Sequence, residues 1–146
     1  MSSQEIPVEV ELRTTIEDNG QMEYNTIKHP GTLYQKGNLD VIIFEEETEE
    51  ENVTTKNLLT IQSGKVNIKR TGEVKMNQQF LPNQTTENVY KHPYGVIHME
   101  TYTNSINYQP LYETDNGYLG ISYSVKLNGQ EERKHELALT FMEEGS

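Results

Sequence analysis

The stretch GKVNIKRTGEVKMNQQF, residues 64–80, alternates between two kinds of side chain along its whole length. Its odd positions, from Lys65 to Gln79, are all polar, whereas its even positions include Val66, Ile68, Val74, Met76 and Phe80. A period of two is typical of a β-strand with one buried face, because successive side chains point to opposite sides of a sheet. The run predicts one long strand kinked at Gly72, although a hairpin with a three-residue loop would preserve the alternation as well.

Similar alternation appears on both sides of this stretch. It predicts an inward face on the first strand (Ile6, Val8, Val10, Leu12 and Ile16) and on the last two (Leu119, Ile121, Tyr123, Val125 and Leu127; Leu137, Leu139 and Phe141). Leu59 and Ile61 have odd numbers, but Val66 and Ile68 have even ones. That change of parity predicts a two-residue hairpin at Ser63-Gly64.

Glycine-containing turns separate the predicted strands. Asp-Asn-Gly occurs at 18–20 and again at 115–117, and each copy predicts a three-residue hairpin loop. A loop of that length at 18–20 would keep Met22 and Tyr24 on the inward face. His29-Pro30-Gly31 is expected to end a strand, as are Pro82-Asn83 and Asn128-Gly129.

The spacing of strands and turns predicts an all-β protein. We expect roughly nine or ten strands and no helix longer than a turn or two, in a single domain over residues 1–146. Regular short strands form antiparallel barrels or sandwiches, and long strands bent at glycine favour closure of the sheet. The predicted fold is therefore an antiparallel barrel of about eight to ten strands, with a β-sandwich as the alternative.

Composition excludes several classes of function. The formal net charge of −11 disfavours binding to nucleic acid or to an anionic membrane, because both would repel the chain. The absence of cysteine excludes disulfides, zinc–thiolate sites and thiol nucleophiles. The N-terminus MSSQEIPVEV has no basic start followed by an apolar run, and no segment reaches membrane-spanning length. We therefore expect a soluble, cytoplasmic protein.

Arg70 is the residue with the clearest chemical implication. It continues the apolar face of Val66 and Ile68, so its guanidinium should point into the barrel, where an unpaired charge is costly. One interpretation makes Arg70 the anchor of a ligand carboxylate or phosphate. The other pairs it with an internal acid, and Glu46 is the best candidate. The parity of Glu46 is open, since apolar residues occupy both faces of its strand.

The remaining polar clusters have weaker implications. In FEEETEEE, residues 44–51, the glutamates from Glu47 to Glu51 are expected to form a solvated hairpin tip that lacks the spacing of a calcium loop. His92, Tyr94 and His98 lie close together, but no third metal ligand has a convincing spacing. We predict no metal site, no cofactor and no catalytic constellation, and we expect His29 and His135 to lie at the surface or in turns.

Several stretches resemble the YwiB-like family of uncharacterised proteins from Bacillus-type bacteria. The similarity lies in VIIFEE (41–46), in residues 64–80, in VYKHPYG (89–95), in ETYT (100–103) and in GYLGISYSVKLNGQ (117–130). It implies an up-and-down, calycin-like barrel related in shape to lipocalins, with no established activity. The glutamate at position 46 matches the family motif, which favours Glu46 as the partner of Arg70.

The leading functional hypothesis is a non-enzymatic barrel that binds a small anionic or amphipathic molecule. The predicted ligand-binding residues are Arg70, Glu46, Tyr94, Tyr123 and His92. A second hypothesis is an acidic protein-interaction module or a homodimer without a ligand, suggested by the glutamate run and the net charge. An enzyme that uses His92 or Tyr94 as acid or base is the weakest hypothesis.

Overall fold

Ten antiparallel strands make up the computed structural model, which describes residues 4–47, 54–72, 74–92, 95–111 and 116–144. The strands are β1 (Gln4–Asp18), β2 (Gln21–Lys36), β3 (Leu39–Glu47), β4 (Thr54–Gln62), β5 (Lys65–Thr71), β6 (Met76–Phe80), β7 (Thr85–His92), β8 (Gly95–Gln109), β9 (Asn116–Leu127) and β10 (Arg133–Glu143). They form one sheet in the order β6-β5-β4-β3-β2-β1-β10-β9-β8-β7. The predicted all-β antiparallel barrel is confirmed.

The two ends of the sheet meet along a seam that nearly closes the barrel. Lys75 and Lys91 exchange two backbone hydrogen bonds, of 3.0 and 2.8 Å. Farther along the seam, the backbone N–H of Asn83 donates to the carbonyl of Thr103 at 2.8 Å. These bonds satisfy backbone groups that an open sheet would leave unpaired at its edges.

The core lies inside the barrel and consists of the inward faces of the strands. Ten apolar side chains, from eight of the ten strands, are at most 1% exposed: Val8, Val10, Leu33, Ile42, Ile61, Val66, Phe80, Leu119, Leu139 and Phe141. The inward faces predicted for β1, β9 and β10 supply half of this set. The two-residue hairpin predicted at Ser63-Gly64 is confirmed by the pairing of Gln62 with Lys65.

The first Asp-Asn-Gly turn is shorter than predicted. Asp18 pairs with Gln21, so the loop contains only Asn19 and Gly20, whose φ angles are +51° and +83°. Positive φ at both central residues is characteristic of a type I′ hairpin. Because the loop has two residues rather than three, the parity of β2 changes. Met22 and Tyr24 therefore point outward, contrary to the prediction.

Residues 66–80 form two strands rather than one long strand. β5 and β6 are antiparallel: Val66 pairs with Phe80, and the last pair joins Arg70 to Met76, with five residues between them in the sequence. This odd-numbered connection preserves the alternation, as the three-residue alternative would also have done. The side chains of Val66 and Phe80 consequently face the core, as predicted.

Two other predicted turns lie within strands. Asn116 and Gly117 belong to β9 and pair with Met142 and Phe141 of β10, so no three-residue loop forms at 115–117; Asp115 itself lies outside the described residues. His29-Pro30-Gly31 lies inside β2, which continues to Lys36. Proline is tolerated at position 30 because β2 pairs there with β1 alone. Among the described residues, β3 pairs with β2 only from Gly31 onward.

Candidate functional site

The barrel wall opens where β2 and β3 separate. Only Gly31–Lys36 of β2 pair with β3, whereas Gln21–Pro30 pair with β1 alone among the described residues. A Cβ at residue 31 would lie 2.8 Å from the carbonyl oxygen of Ile43, so the last shared pair requires glycine for close approach. Beyond this point a cavity of about 460 Å³ extends into the barrel.

The lining of the cavity is about half apolar and half polar. Its apolar lining is formed by Leu12, Ile27, Phe44, Leu59, Ile68, Met76 and Leu137. Its polar lining is formed by Thr14, Asn25, His29, Glu46, Asn57, Arg70, Gln78 and Tyr123. The volume is typical of small-molecule sites, which measure roughly 300–1,000 Å³, although the lining is more polar than in most of them.

Arg70 and Glu46 form an ion pair at the cavity. The Nη2 of Arg70 donates to Oε2 of Glu46 at 3.0 Å, and its Nε donates to Oδ1 of Asn57 at 3.1 Å. Ile42 and Phe44 are buried, which settles the open parity of β3 and places Glu46 on the inward face. The guanidinium therefore has the internal partner that was predicted for it.

The ion pair is only partly shielded from water. The side chains of Arg70 and Glu46 are 31% and 23% exposed. Pairs with this access to solvent contribute little to stability, on the order of 0–1 kcal/mol. The guanidinium is thus held by protein acceptors and is also reachable from the cavity.

Asn57 is a site residue that the sequence reasoning missed. It is only 4% exposed, and its Nδ2 has no hydrogen-bond partner although its Oδ1 accepts from Arg70. Asn57 shares the parity of Leu59 and Ile61, so extending that alternation toward the start of β4 would have predicted its inward position.

The other predicted ligand-binding residues have different positions. Tyr123 lines the cavity and is 7% exposed, and burial raises the pKa of its phenol to about 12, which keeps the hydroxyl protonated. The backbone of His92 pairs with Gly95 at the end of β7. Tyr94 and the predicted tip after Glu47 lie outside the described residues.

His29 and His135 face inward, so their predicted surface or turn location is wrong. His29 lines the cavity and its ring stacks on Phe44 with a centroid separation of 6.2 Å. His135 pairs across strands with Tyr123, and their rings stack at 5.0 Å. Burial, reinforced by the charge of Arg133, lowers the pKa of His135 to about 4.

Replacing His135 by glutamine is expected to flatten the acid side of the stability profile. The unfolded chain protonates this histidine below about pH 6.5, but the folded protein does so only near pH 4, so acid favours unfolding across that window. Over it, the wild type should lose up to roughly 2 kcal/mol more than the variant, after allowance for partial exposure. Urea unfolding at several pH values measures the difference. His98→Gln, at an exposed position, is the control. If the free energy of unfolding falls equally steeply with falling pH in the wild type and in His135→Gln, the expectation is contradicted.

Two further clefts lie outside this site. One of about 480 Å³ lies on the outer side of the gap between β2 and β3 and is lined by His29–Thr32 and Ile43–Glu45. Another of about 560 Å³ lies at the opposite end of the barrel, where the hydroxyl of Tyr108 donates to Asp40. The second cleft is slightly larger than the Arg70 cavity, but no cationic side chain is among the described residues that line it. We therefore take the Arg70 cavity as the candidate site.

The described part of the chain contains neither a metal-binding cluster nor a membrane-spanning helix. Within those residues, no group of three or more histidine, aspartate or glutamate side chains is arranged to hold a metal ion. None of their helical segments has the length and apolar character needed to cross a membrane. The cavity is thus the feature that carries the functional argument.

Comparison with known proteins identifies the family. A family model described as a domain of unknown function (DUF1934) matches residues 10–139. The chain belongs to the DUF1934 family. Membership confirms the resemblance to YwiB-like proteins, because the chain is 30% identical over 138 residues to the uncharacterized beta-barrel protein YwiB of Bacillus subtilis (strain 168), covering 94% of each chain.

The DUF1934 fold is also seen in a solved structure. The crystal structure of the ywiB protein from Bacillus subtilis superposes with a TM-score of 0.83 at 27% identity, covering 95% of this chain and 92% of that one. Neither description of YwiB states a function. The protein is therefore a DUF1934 β-barrel whose activity has to be argued from its own cavity.

Proposed function

We propose that this DUF1934 barrel is a non-enzymatic binding protein for a small anionic or amphipathic molecule, held with its polar end against Arg70. The observation that carries the proposal is the cationic side chain in a cavity of about 460 Å³ whose lining is about half apolar and half polar. Among the residues that line it, Arg70 is the one permanent cation and Glu46 the one carboxylate. An amphipathic ligand matches this division, with its apolar part on Leu59 and Ile68.

Stability alone is a weaker explanation of the same arrangement. The ion pair is partly exposed, so it offers little stabilisation. Retention of a cavity beside a guanidinium therefore favours binding over a purely structural role.

Replacing Arg70 by alanine is expected to weaken binding by roughly ten- to a hundredfold, because a charge-assisted hydrogen bond contributes about 1.5–3 kcal/mol. Native mass spectrometry of the purified protein reveals any co-purifying molecule. Thermal unfolding with a series of fatty acids and organic phosphates then gives the stabilisation by each, which Arg70→Ala should lose.

Arg13→Ala is the matched control. The side chain of Arg13 is 69% exposed, and its salt bridge within the described residues is to Glu11. This variant should keep the full stabilisation by ligand. The proposal fails if no molecule co-purifies or stabilises the wild type and if Arg70→Ala lowers the melting temperature without any effect of ligand.

A further inference from the structure

Arg70 uses only part of its capacity to donate hydrogen bonds. A guanidinium has five N–H groups, and the contacts to Asn57 and Glu46 account for two of them. The carboxylate of Glu46 reaches Arg70 through a single oxygen, from a side chain that is itself 23% exposed. This is a one-point contact at the cavity opening rather than a closed, bidentate pair.

The neighbouring amide provides a second, independent indication of an absent acceptor. Asn57 is almost completely buried, and its Nδ2 donates to nothing although Oδ1 of the same amide is engaged by Arg70. A buried donor without a partner is costly, and native proteins rarely keep one. A ligand oxygen beside Arg70 would give the Asn57 amide an acceptor after a small rearrangement.

The charges of the lining residues limit what such a ligand can be. Arg70 is already neutralised by Glu46, so an added carboxylate places two negative charges beside one positive charge. Like charges in a partly buried site disfavour each other, and a dianion makes the imbalance worse. A monoanion that takes the place of the Glu46 carboxylate leaves the charge of the site unchanged.

We propose that Glu46 is a displaceable internal substitute for the ligand, and that the ligand is an amphipathic monocarboxylate. This inference rests on the proposed binding function and assigns its ligand class. On binding, the ligand carboxylate replaces Oε2 of Glu46 on Arg70, and the released Glu46 side chain turns toward solvent at the rim. Glu46 thereby lowers the affinity for every anion and selects against dianions.

The test compares decanoate binding by isothermal titration calorimetry in two variants of equal charge. Glu46→Gln removes the competing carboxylate and should bind decanoate about tenfold more tightly than the wild type. Glu45→Gln is the control, because Glu45 is the adjacent residue on the opposite face of β3 and pairs with Lys56 in register. It makes the same change in net charge and should leave the affinity unchanged.

Binding of decyl phosphate, which is a dianion at alkaline pH, tests whether the ligand is a monocarboxylate. The wild type should bind decanoate more tightly than decyl phosphate, and Glu46→Gln should narrow that difference. Tighter binding of decyl phosphate by the wild type would overturn the assignment of a monocarboxylate.

The double variant Arg70→Gln with Glu46→Gln tests the anchor without leaving an unpaired charge, so loss of folding is avoided. It should bind decanoate at least tenfold more weakly than Glu46→Gln alone. Equal affinity of these two variants would overturn the inference.

The failure of this inference is distinguishable from failure of the proposed function. If the wild type binds decanoate and Glu46→Gln binds it equally or less tightly, Glu46 is not a competitor and only the inference is overturned. If neither protein binds any amphipathic anion, the proposed function itself is overturned.

Discussion

Gly72→Ala is expected to destabilise the barrel by about 3 kcal/mol or more. The φ of Gly72 is +139°, a conformation that costs other residues on the order of 1–3 kcal/mol. An added Cβ would also lie 2.3 Å from the carbonyl oxygen of Thr54 and 2.9 Å from the Cα of Thr55. Both obstacles are backbone atoms of β4, so they cannot move aside as a flexible side chain would.

Gly20→Ala is the matched control for that variant. Gly20 also has positive φ, +83°, but nothing lies within 4 Å of an added Cβ. It should therefore cost only the conformational strain, about 1 kcal/mol. Urea unfolding of both variants separates strain from collision. Equal losses of unfolding free energy would show that the approach of Gly72 to β4 is not a determinant of stability.

Phe80→Ala should remove a similarly large part of the stability, about 3–5 kcal/mol. Phe80 is completely buried, and its ring packs edge-on against Tyr123 with a centroid separation of 4.8 Å. It lies on β6, next to the seam, where Gln78 donates from Nε2 to Oγ1 of Thr101 at 2.8 Å. A void at this position therefore weakens both the core and the closure of the barrel.

Denaturant unfolding measures the loss, and hydrogen exchange of the Lys75 and Lys91 amides reports on the seam. Both amides should exchange faster in Phe80→Ala than in the wild type. Met142→Ala removes a side chain that is 47% exposed and should change the unfolding free energy by less than about 0.5 kcal/mol. A loss for Phe80→Ala as small as that would contradict the central place of Phe80 in the core.

Much of the fold follows from local alternation in the sequence. The inward faces of β9 and β10 could be predicted because Leu119, Ile121, Leu137, Leu139 and Phe141 keep one parity without interruption. The contact between Arg70 and Glu46 could be predicted for a related reason: a lone cation on an inward face requires a partner, and an acid was available.

Other features depend on turn length, which alternation does not determine. A loop shortened by one residue at Asn19-Gly20 reverses every side chain of the following strand, so Met22 and Tyr24 were assigned to the wrong face. Conversely, a hairpin with an odd loop and a continuous strand have the same parity, which is why β5 and β6 were predicted as one strand.

The cavity itself is beyond local reasoning. It lies where the part of β2 before Gly31 separates from β3, and residues of β1, β4, β5, β6, β9 and β10 also line it. These are properties of long-range register, which side-chain periodicity within one strand does not specify. Asn25 consequently became a site residue only once the strands had been assembled, whereas the alternation along β4 would have placed Asn57 inward.

The most direct test of the central claim is the location of a bound amphipathic carboxylate. Nuclear Overhauser effects between decanoate and methyl-labelled protein measure it. We predict contacts from the decanoate chain to the methyl groups of Leu59, Ile68 and Leu137, which line the cavity, and none to Val96, which is 64% exposed. Contacts to Val96 alone, or none at saturating decanoate, would contradict the account.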